Sequence, residues 1–362
     1  MDAPLRPTTV TETAPTRGDL PGGAPSGAEF RDDRRRDLQR QLPSEVLARL
    51  TVLDDRRSAW AIFKTLILLI AVIFVAATDW TPWIVIPAVT IIAIQQHALF
   101  VLAHEAAHYR LFSHRGWNDA AGRAIGSSAG ISMCAYRVIH RLHHNHLYGP
   151  QDPDIALHGG YPRGKAYLLK KLATDLCGLT AWKTFRYFFG VPAANASTNE
   201  AQRPLDDTSP SLRRAALNDR WGVLSCQIAT PLAILALGGG EALLRYLVLW
   251  VLPAVTGLQA ILRLRAIAEH GAPGETDTPL TAARTNFGNA LTRFILFPHH
   301  VNYHIEHHLF PAVPHYQLPA LHAELETRGL LAGAEVRNFS ATWKRVHAER
   351  APQHASSTQA GH

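Results

Sequence analysis

The sequence predicts an all-α, multi-pass membrane protein: four transmembrane helices in two hairpins, joined to a helical cytosolic cap. Three observations carry that expectation. Charged residues fill only 18% of the 362 positions, below the roughly 25% usual in soluble domains. Uncharged apolar residues gather in four long runs, so a mean hydropathy of −0.04 averages two unlike halves. The third is a surplus of 20 histidines against 3 cysteines and 2 methionines. Cys134, Cys177 and Cys226 are too few and too far apart for a disulfide scaffold or a thiolate zinc cluster, so any metal would rest on imidazole and carboxylate.

Residues 1–30, rich in Pro, Thr, Gly and Ala, lack an aliphatic pattern and predict a disordered N-terminal tail; no secretory leader is expected there. Residues 31–58 mix Arg and Asp around Leu38, Leu42, Val46, Leu47 and Leu50, which predicts a solvated, cytosolic helical lead-in. The membrane domain is expected over 59–330, with spans at 59–80, 83–103, 221–240 and 246–262. The first span holds only Lys64 and Asp79 near its ends, and tryptophans sit near the ends of several runs, which favours membrane helices over buried helices of a soluble core. Hairpin turns are expected around Asp79–Pro82 and Gly238–Glu241. Pro87, Pro231 and Pro253 do not oppose helix where neighbours can re-satisfy the backbone. Residues 120–139, with Arg123, Arg137 and many small residues, read as a short helix packed on protein rather than a fifth span. Lys165 to Phe189 alternates basic and aromatic residues and predicts a helix lying flat at the headgroups, or one packed on the domain. Residues 331–362 are expected to form a C-terminal cytosolic tail.

Flanking charge sets the orientation. Arg49, Arg56 and Arg57 precede the first span, Arg110 and Arg115 follow the second, Arg213, Arg214 and Arg220 precede the third, and Arg263 and Arg265 follow the fourth. The short hairpin turns hold only Arg245. Both termini and the long loop from His104 to Arg220 therefore face the cytoplasm. The net charge of +7 permits several acidic partners, but no module signature or basic stripe points to nucleic acid.

Nine histidines stand out by spacing. The second span runs into His104-Glu105-Ala106-Ala107-His108, where an i, i+4 separation puts both imidazoles on one helix face. His140, His143 and His144 share an HxxHH pattern with His304, His307 and His308. His270 lies eight residues past the fourth span, about 12 Å further along a continuing helix. With four spans all nine fall on the cytoplasmic side. Nine imidazoles exceed one ion's needs and predict two first-row metals carried by the cap. Iron, with open positions for O2, suits oxidative chemistry, although the donor set leaves other metals open. Glu105, Asp152, Asp154, Glu269 and Glu306 are candidates to orient imidazole N–H groups, or else serve as caps and local ion pairs. His97, His114, His146, His158, His299, His300 and His315 read as surface or interfacial residues. HEAAH also fits the HExxH zinc-protease pattern, but that reading leaves seven spaced histidines unused.

The three histidine boxes, HHNHLYGPQDPD after the second, EHG at 269–271 and NYHIEHHLFP at 302–311 resemble the membrane-bound fatty acid desaturase and hydroxylase superfamily, nearest its acyl-lipid desaturase branch. The likeness runs from Ala59 to Leu325. It implies that His104, His108, His140, His143, His144, His304, His307 and His308 hold a di-iron centre and that His270 is the extra ligand. It also implies four long helices, a cytosolic cap and a narrow tunnel for the acyl chain. Some members carry an asparagine, holding a water on one iron, where this chain has Ala266. The third box opens with His304 where front-end desaturases have glutamine, and no HPGG haem motif occurs, so no fused electron-donor domain is expected.

The implied reaction is O2-dependent insertion of a double bond into a lipid acyl chain. No side-chain acid or base removes hydrogen from an unactivated CH2, so no catalytic residue is expected beyond the metal centre and its two irons. O2 would be the co-substrate. Electrons would come from an external ferredoxin or small haem cytochrome, with its reductase, docking on the basic cytoplasmic face. A hydroxylase or ketolase acting on a fatty acyl, sphingolipid or carotenoid substrate is the nearest alternative. A metal transporter would need polar residues at mid-membrane, which the uncharged spans do not offer.

Overall fold

The computed structural model describes residues 27–149, 152–190, 209–273 and 278–348. The expected disordered tail falls almost wholly outside them, as does the end of the expected C-terminal tail. Within them the chain is helical, apart from two three-residue strands. Three helical stretches are long and apolar enough to cross a membrane: Asp55–Thr78, Pro82–Ala107 and Pro210–His270.

Two short helices come first, α1 (Gly27–Gln41) and α2 (Ser44–Leu50), parted at Pro43. Their leucines are not solvated as expected. Leu42 and Leu50 are buried and pack with Ile305, Leu309, Leu318 and Leu321, so the lead-in forms one wall of the third histidine box. The pattern is core spacing, which dense Arg and Asp on the outer face disguised. The Gln39 amide donates to the Leu309 carbonyl, and Arg35 Nη1 donates to His144 O at 3.4 Å.

The first apolar helix, α3 (Asp55–Thr78), starts where Asp54 accepts from Arg56 N at 3.0 Å. It packs against α4 (Pro82–Ala107), which runs from a proline in its first turn into the first histidine box. Trp60, Phe63, Ile70 and Phe74 on α3, with Trp83 and Ile86 on α4, remain exposed, an apolar collar that suits lipid rather than water. The C-terminal carbonyls of α4 are capped from outside: Asn118 Nδ2 and Arg137 Nη2 both donate to Ala106 O, at 3.0 and 3.1 Å.

Residues 120–139 form two packed helices rather than a span, α5 (Arg115–Ala129) and α6 (Met133–His146), separated by Gly130 at φ 75°. At Gly122 an added Cβ would meet Ala106 Cβ at 2.7 Å, so glycine is what lets α5 lie close on α4 beside the first box. Beyond the single-turn α7 (Ile155–His158), the expected helix over Lys165–Phe189 is two, α8 (Lys165–Leu176) and α9 (Ala181–Phe188). The packed alternative holds for part of it: Leu168, Tyr187 and Phe188 are buried, whereas Leu169, Leu176, Leu179 and Trp182 stay exposed.

The expected third and fourth spans lie in one stretch with almost no loop. α10 (Pro210–Tyr246) is broken only at Gly239 (φ 70°, ψ −171°), a conformation that needs glycine. It continues through a π-helical turn at Leu247–Val251 and α11 (Leu252–Val255) into α12 (Gly257–His270). The wide turn frees a carbonyl, and Gln96 Nε2 of α4 donates to Trp250 O at 2.8 Å. Contacts trace the path. Ser132 Oγ donates to Asp219 Oδ2 at 2.8 Å, Arg245 lies 5.7 Å from the Trp80 ring beside the α3–α4 turn, and His270 returns to the histidines of α4 and α6.

The remaining elements form the floor beneath that end: α13 (Pro279–Ala282), β1 (Thr285–Phe287), α14 (Ala290–Leu296), α15 (His304–Leu309), α16 (Leu318–Thr327), β2 (Val336–Asn338) and α17 (Phe339–Val346). The strands pair in parallel, Thr285 with Val336. The C-terminal tail expectation is therefore corrected over 331–348: β2 joins a sheet, and Thr342 Oγ1 on α17 donates to buried Asn286 Oδ1 at 2.6 Å. Arg284, 1% exposed, ties this floor to α12 by donating to Ala268, Gly271 and Ala272 carbonyls at 2.9–3.1 Å and facing Glu335. Arg284→Ala strips those carbonyls of a buried cation and should lower stability by about 3–5 kcal/mol, whereas Arg345→Ala, at a part-exposed end of the same network, should cost under about 1 kcal/mol. Thermal unfolding in detergent measures both.

Candidate metal centre

Four backbone segments deliver the nine spaced histidines to one place, and all nine imidazoles are brought together. His104 and His108 leave the end of α4, His140, His143 and His144 one face of α6, His270 the last residue of α12, and His304, His307 and His308 the face of α15. Spacing alone puts each set on one face; the packing of α4, α6, α12 and α15 makes the faces converge.

The imidazoles divide into two groups whose donor atoms lie within 4.8 Å of one another: His104, His108, His140, His144 and His307, then His143, His270, His304 and His308. In the first, Nε2 atoms stand 2.8 Å apart for His108 and His140, 3.0 Å for His140 and His144, and 3.1 Å for His144 and His307. In the second the separations are 2.8 Å for His270 and His304, 3.1 Å for His304 and His308, and 3.3 Å for His143 and His270. Two nitrogens each about 2.1 Å from one ion and at right angles to it lie about 3.0 Å apart.

The far side of the rings decides what these approaches are. His143 Nδ1 is 2.9 Å from Asp152 Oδ1, and His270 Nδ1 is 3.1 Å from Ala282 O, so each of these rings carries a proton at Nδ1. That leaves the His270 Nε2 lone pair bare, and that of His143 too once its second proton is displaced, both aimed at other ring nitrogens where a cation could stand between. The donor set fits first-row divalent metals: imidazole throughout, no thiolate, and in the group of five more ligands than a closed four-coordinate zinc site takes.

The carboxylates take distinct places. Asp152, fully buried, also accepts from Tyr148 N and Asp154 N, both at 2.9 Å, and Asp154 Oδ2 is 3.5 Å from His143 Nδ1. Glu105 Oε1 lies 3.5 Å behind His104 Nδ1 while Oε2 accepts from His315 N at 3.0 Å. Glu269 Oε1 is 3.7 Å from His304 Nδ1 and is held by Arg265 at 2.8 Å. Glu306 meets no box imidazole; it accepts from Thr285 Oγ1 at 2.6 Å and from His322. Glu105 standing behind His104 is out of place for the general base that an HExxH protease needs. Ala266 offers only a methyl group.

Among the histidines expected at the surface, His97, His158 and His315 are instead buried, His158 against Asp152 and His315 beside Glu105. His114 and His300 are exposed as expected. Sequence reasoning passed over Thr285, His322 and Arg284. Only His158 had a signal, its i, i+4 spacing from Asp154.

Burial, with help from neighbouring imidazoles, holds His140, His144, His304, His307 and His308 well below the ordinary histidine value, and burial holds His108 down to about 3. His143 differs: burial opposes its charge, but Asp154 and Asp152 outweigh that and lift it to about 9. In the metal-free protein the unfolded chain takes up protons at the first six rings below about 6.5 while the folded chain refuses them, so stability should fall as pH drops from 7 toward 5. His143 works in the other direction, losing its contribution only as pH rises through about 9. Chemical unfolding of metal-free protein between pH 5 and 8 tests this; midpoints that rise on acidification would contradict it.

A family model of fatty acid desaturases matches residues 78–337. The chain is 30% identical to a dihydrorhizobitoxine desaturase of Bradyrhizobium elkanii, over 67% of this chain and 68% of that one. It is 24% identical to a probable fatty acid desaturase of Sorghum bicolor over 72% of this chain and 68% of the relative. It is also 28% identical to a beta-carotene ketolase of Paracoccus sp. (strain PC1), over 61% of this chain and 72% of that one. The match takes in all four segments that bring the histidines together: this chain belongs to the fatty acid desaturase family.

Proposed function

We propose that the chain is an integral membrane desaturase that holds two irons and uses O2 to place a double bond in a lipid acyl chain. The observation that carries the proposal is the division of nine imidazoles into groups of five and four. His104, His108, His140, His144 and His307 would hold one iron; His143, His270, His304 and His308 would hold the other. When bound, the irons would supply an O2-derived oxidant able to take hydrogen from an unactivated CH2.

The chain's own residues do the rest. Asp152 fixes the tautomer and direction of His143, and the Ala282 carbonyl does so for His270. Asp154, Glu105 and Glu269 stand behind His143, His104 and His304 as further orienting groups. Glu306 instead braces α15 through Thr285 and His322, which keeps three box histidines at one angle. The placement of an alkyl chain beside the rings would decide which carbon reacts, since a shift of about 1 Å is costly in rate.

The membrane arrangement is part of the proposal. Asp219 near Ser132, Arg245 near Trp80 and His270 among the boxes support a helix that goes out to the α3–α4 turn, reverses at Gly239 and comes back. That gives four crossings, all inside 59–330, with the segments on either side packed onto the same domain. Arginines at the histidine end then favour a cytoplasmic centre and termini. The same basic end suits an acidic ferredoxin or a small haem cytochrome as electron donor. A hydroxylase or ketolase is the second reading, favoured by the likeness to the beta-carotene ketolase.

Purified protein loaded with iron should hold about two ions per chain, and His307→Ala or His143→Ala should each remove iron and abolish product. Lipid mass spectrometry of a host with and without the gene separates the readings. Loss of two hydrogens from an acyl chain is the expected result; gain of oxygen would move the assignment to the hydroxylase. One zinc per chain with peptide cleavage would overturn both.

A further inference from the structure

His158 ends α7, six residues after Asp152, and is 1% exposed, yet neither ring nitrogen makes a hydrogen bond. A buried imidazole with two idle nitrogens calls for a role. Its Nε2 lies 3.6 Å from Asp152 Oδ2, inside ion-pair reach and somewhat long for a hydrogen bond. Its ring packs 5.0 Å from both the Tyr148 and His270 rings and 6.1 Å from that of His143.

Asp152 is the hinge of the arrangement. Oδ1 takes His143 Nδ1 and Asp154 N, Oδ2 takes Tyr148 N, and the side of Oδ2 left over faces His158. Nε2 of His158 addresses the carboxylate, not the cluster of four nitrogens, so the ring is not placed as a fifth ligand. A third cation held by His143, Asp152 and His158 is also disfavoured, because it would need His143 Nδ1 bare, and that nitrogen already serves Asp152.

We propose that His158 is a positioning residue: its Nε2–H braces Asp152 Oδ2, which keeps Oδ1 on His143 Nδ1 and so aims His143 Nε2 into the four-histidine group. The inference rests on the metal reading given above. It predicts an effect confined to one of two ions, because none of the five histidines of the other group touches Asp152 among the described residues.

The test uses full-length, iron-loaded protein carrying His158→Leu, which fills the space without a donor, or His158→Gln, which keeps one. Iron per chain is measured in competition with a ferrous chelator, and Mössbauer spectra report the two iron environments separately. For His158→Leu we expect about 10–100-fold weaker retention of one iron and a changed signal for that iron alone, with His158→Gln recovering most of both. Wild-type retention and spectra in His158→Leu would overturn the role, as would equal loss of both irons, a glutamine variant no better than leucine, or three irons per chain in the unmutated protein. An unmutated protein that takes up no iron would instead remove the metal reading on which the role depends.

Discussion

Nine imidazoles gathered in one place, eight of them at Nε2 separations of 2.8–3.3 Å, are the constraint on which the rest of the molecule rests. Without cations these rings have only one another's nitrogens to face. Bound metal ions would cross-link α4, α6, α12 and α15, helices drawn from across the chain. The side chains behind the rings follow from this need. A partner on Nδ1 fixes where Nε2 points, so Asp152 and the Ala282 carbonyl are as much part of the centre as the rings they hold.

Holding the rings requires backbone that does not yield, and the chain achieves this with buried polar clamps at the ends of apolar helices. Asn118 and Arg137 close the end of α4 just before His108. Arg284 collects the last carbonyls of α12 around His270. Asp175, fully buried, pairs with Arg263 two turns earlier on the same helix. A buried ion pair is weak support for stability but strong support for one geometry, because breaking it leaves a charge with nowhere to go. The clamps sit where helix ends would otherwise leave orphan carbonyls, so they satisfy the backbone and fix the ligands together.

The division between an apolar half and a histidine end also fits the chemistry. An alkyl chain offers no handle for recognition by hydrogen bonds, so selection must come from where its carbons lie along apolar walls. A desaturase and a beta-carotene ketolase among the relatives carry names for different outcomes, yet this chain is similar to both across more than half its length. That is expected where the oxidising centre is common and the outcome depends on how the substrate is presented.

What was legible in the sequence followed from period and charge. Uncharged runs mark helices whatever surrounds them, and HxxHH marks a shared face because helix geometry is local. Illegible features were those in which one segment's burial depends on another far away. Leu42 and Leu50 read as a solvated helix because their partners, Ile305 and Leu321, lie over 250 positions further on. Residues 336–348 read as tail because strand pairing with Thr285–Phe287 is non-local. Glu306 lies inside a histidine box, where proximity in sequence suggested service to an imidazole. A helix, however, sends neighbouring side chains about 100° apart, so a residue beside a ligand need not face the same group of rings. Glu306 thus faces Thr285 and His322, while His143 is served by Asp152, nine positions away across a turn. Glu105 and Glu269, by contrast, do stand behind box imidazoles, so sequence proximity names the candidates and only the packed structure tells which of them serve a ring.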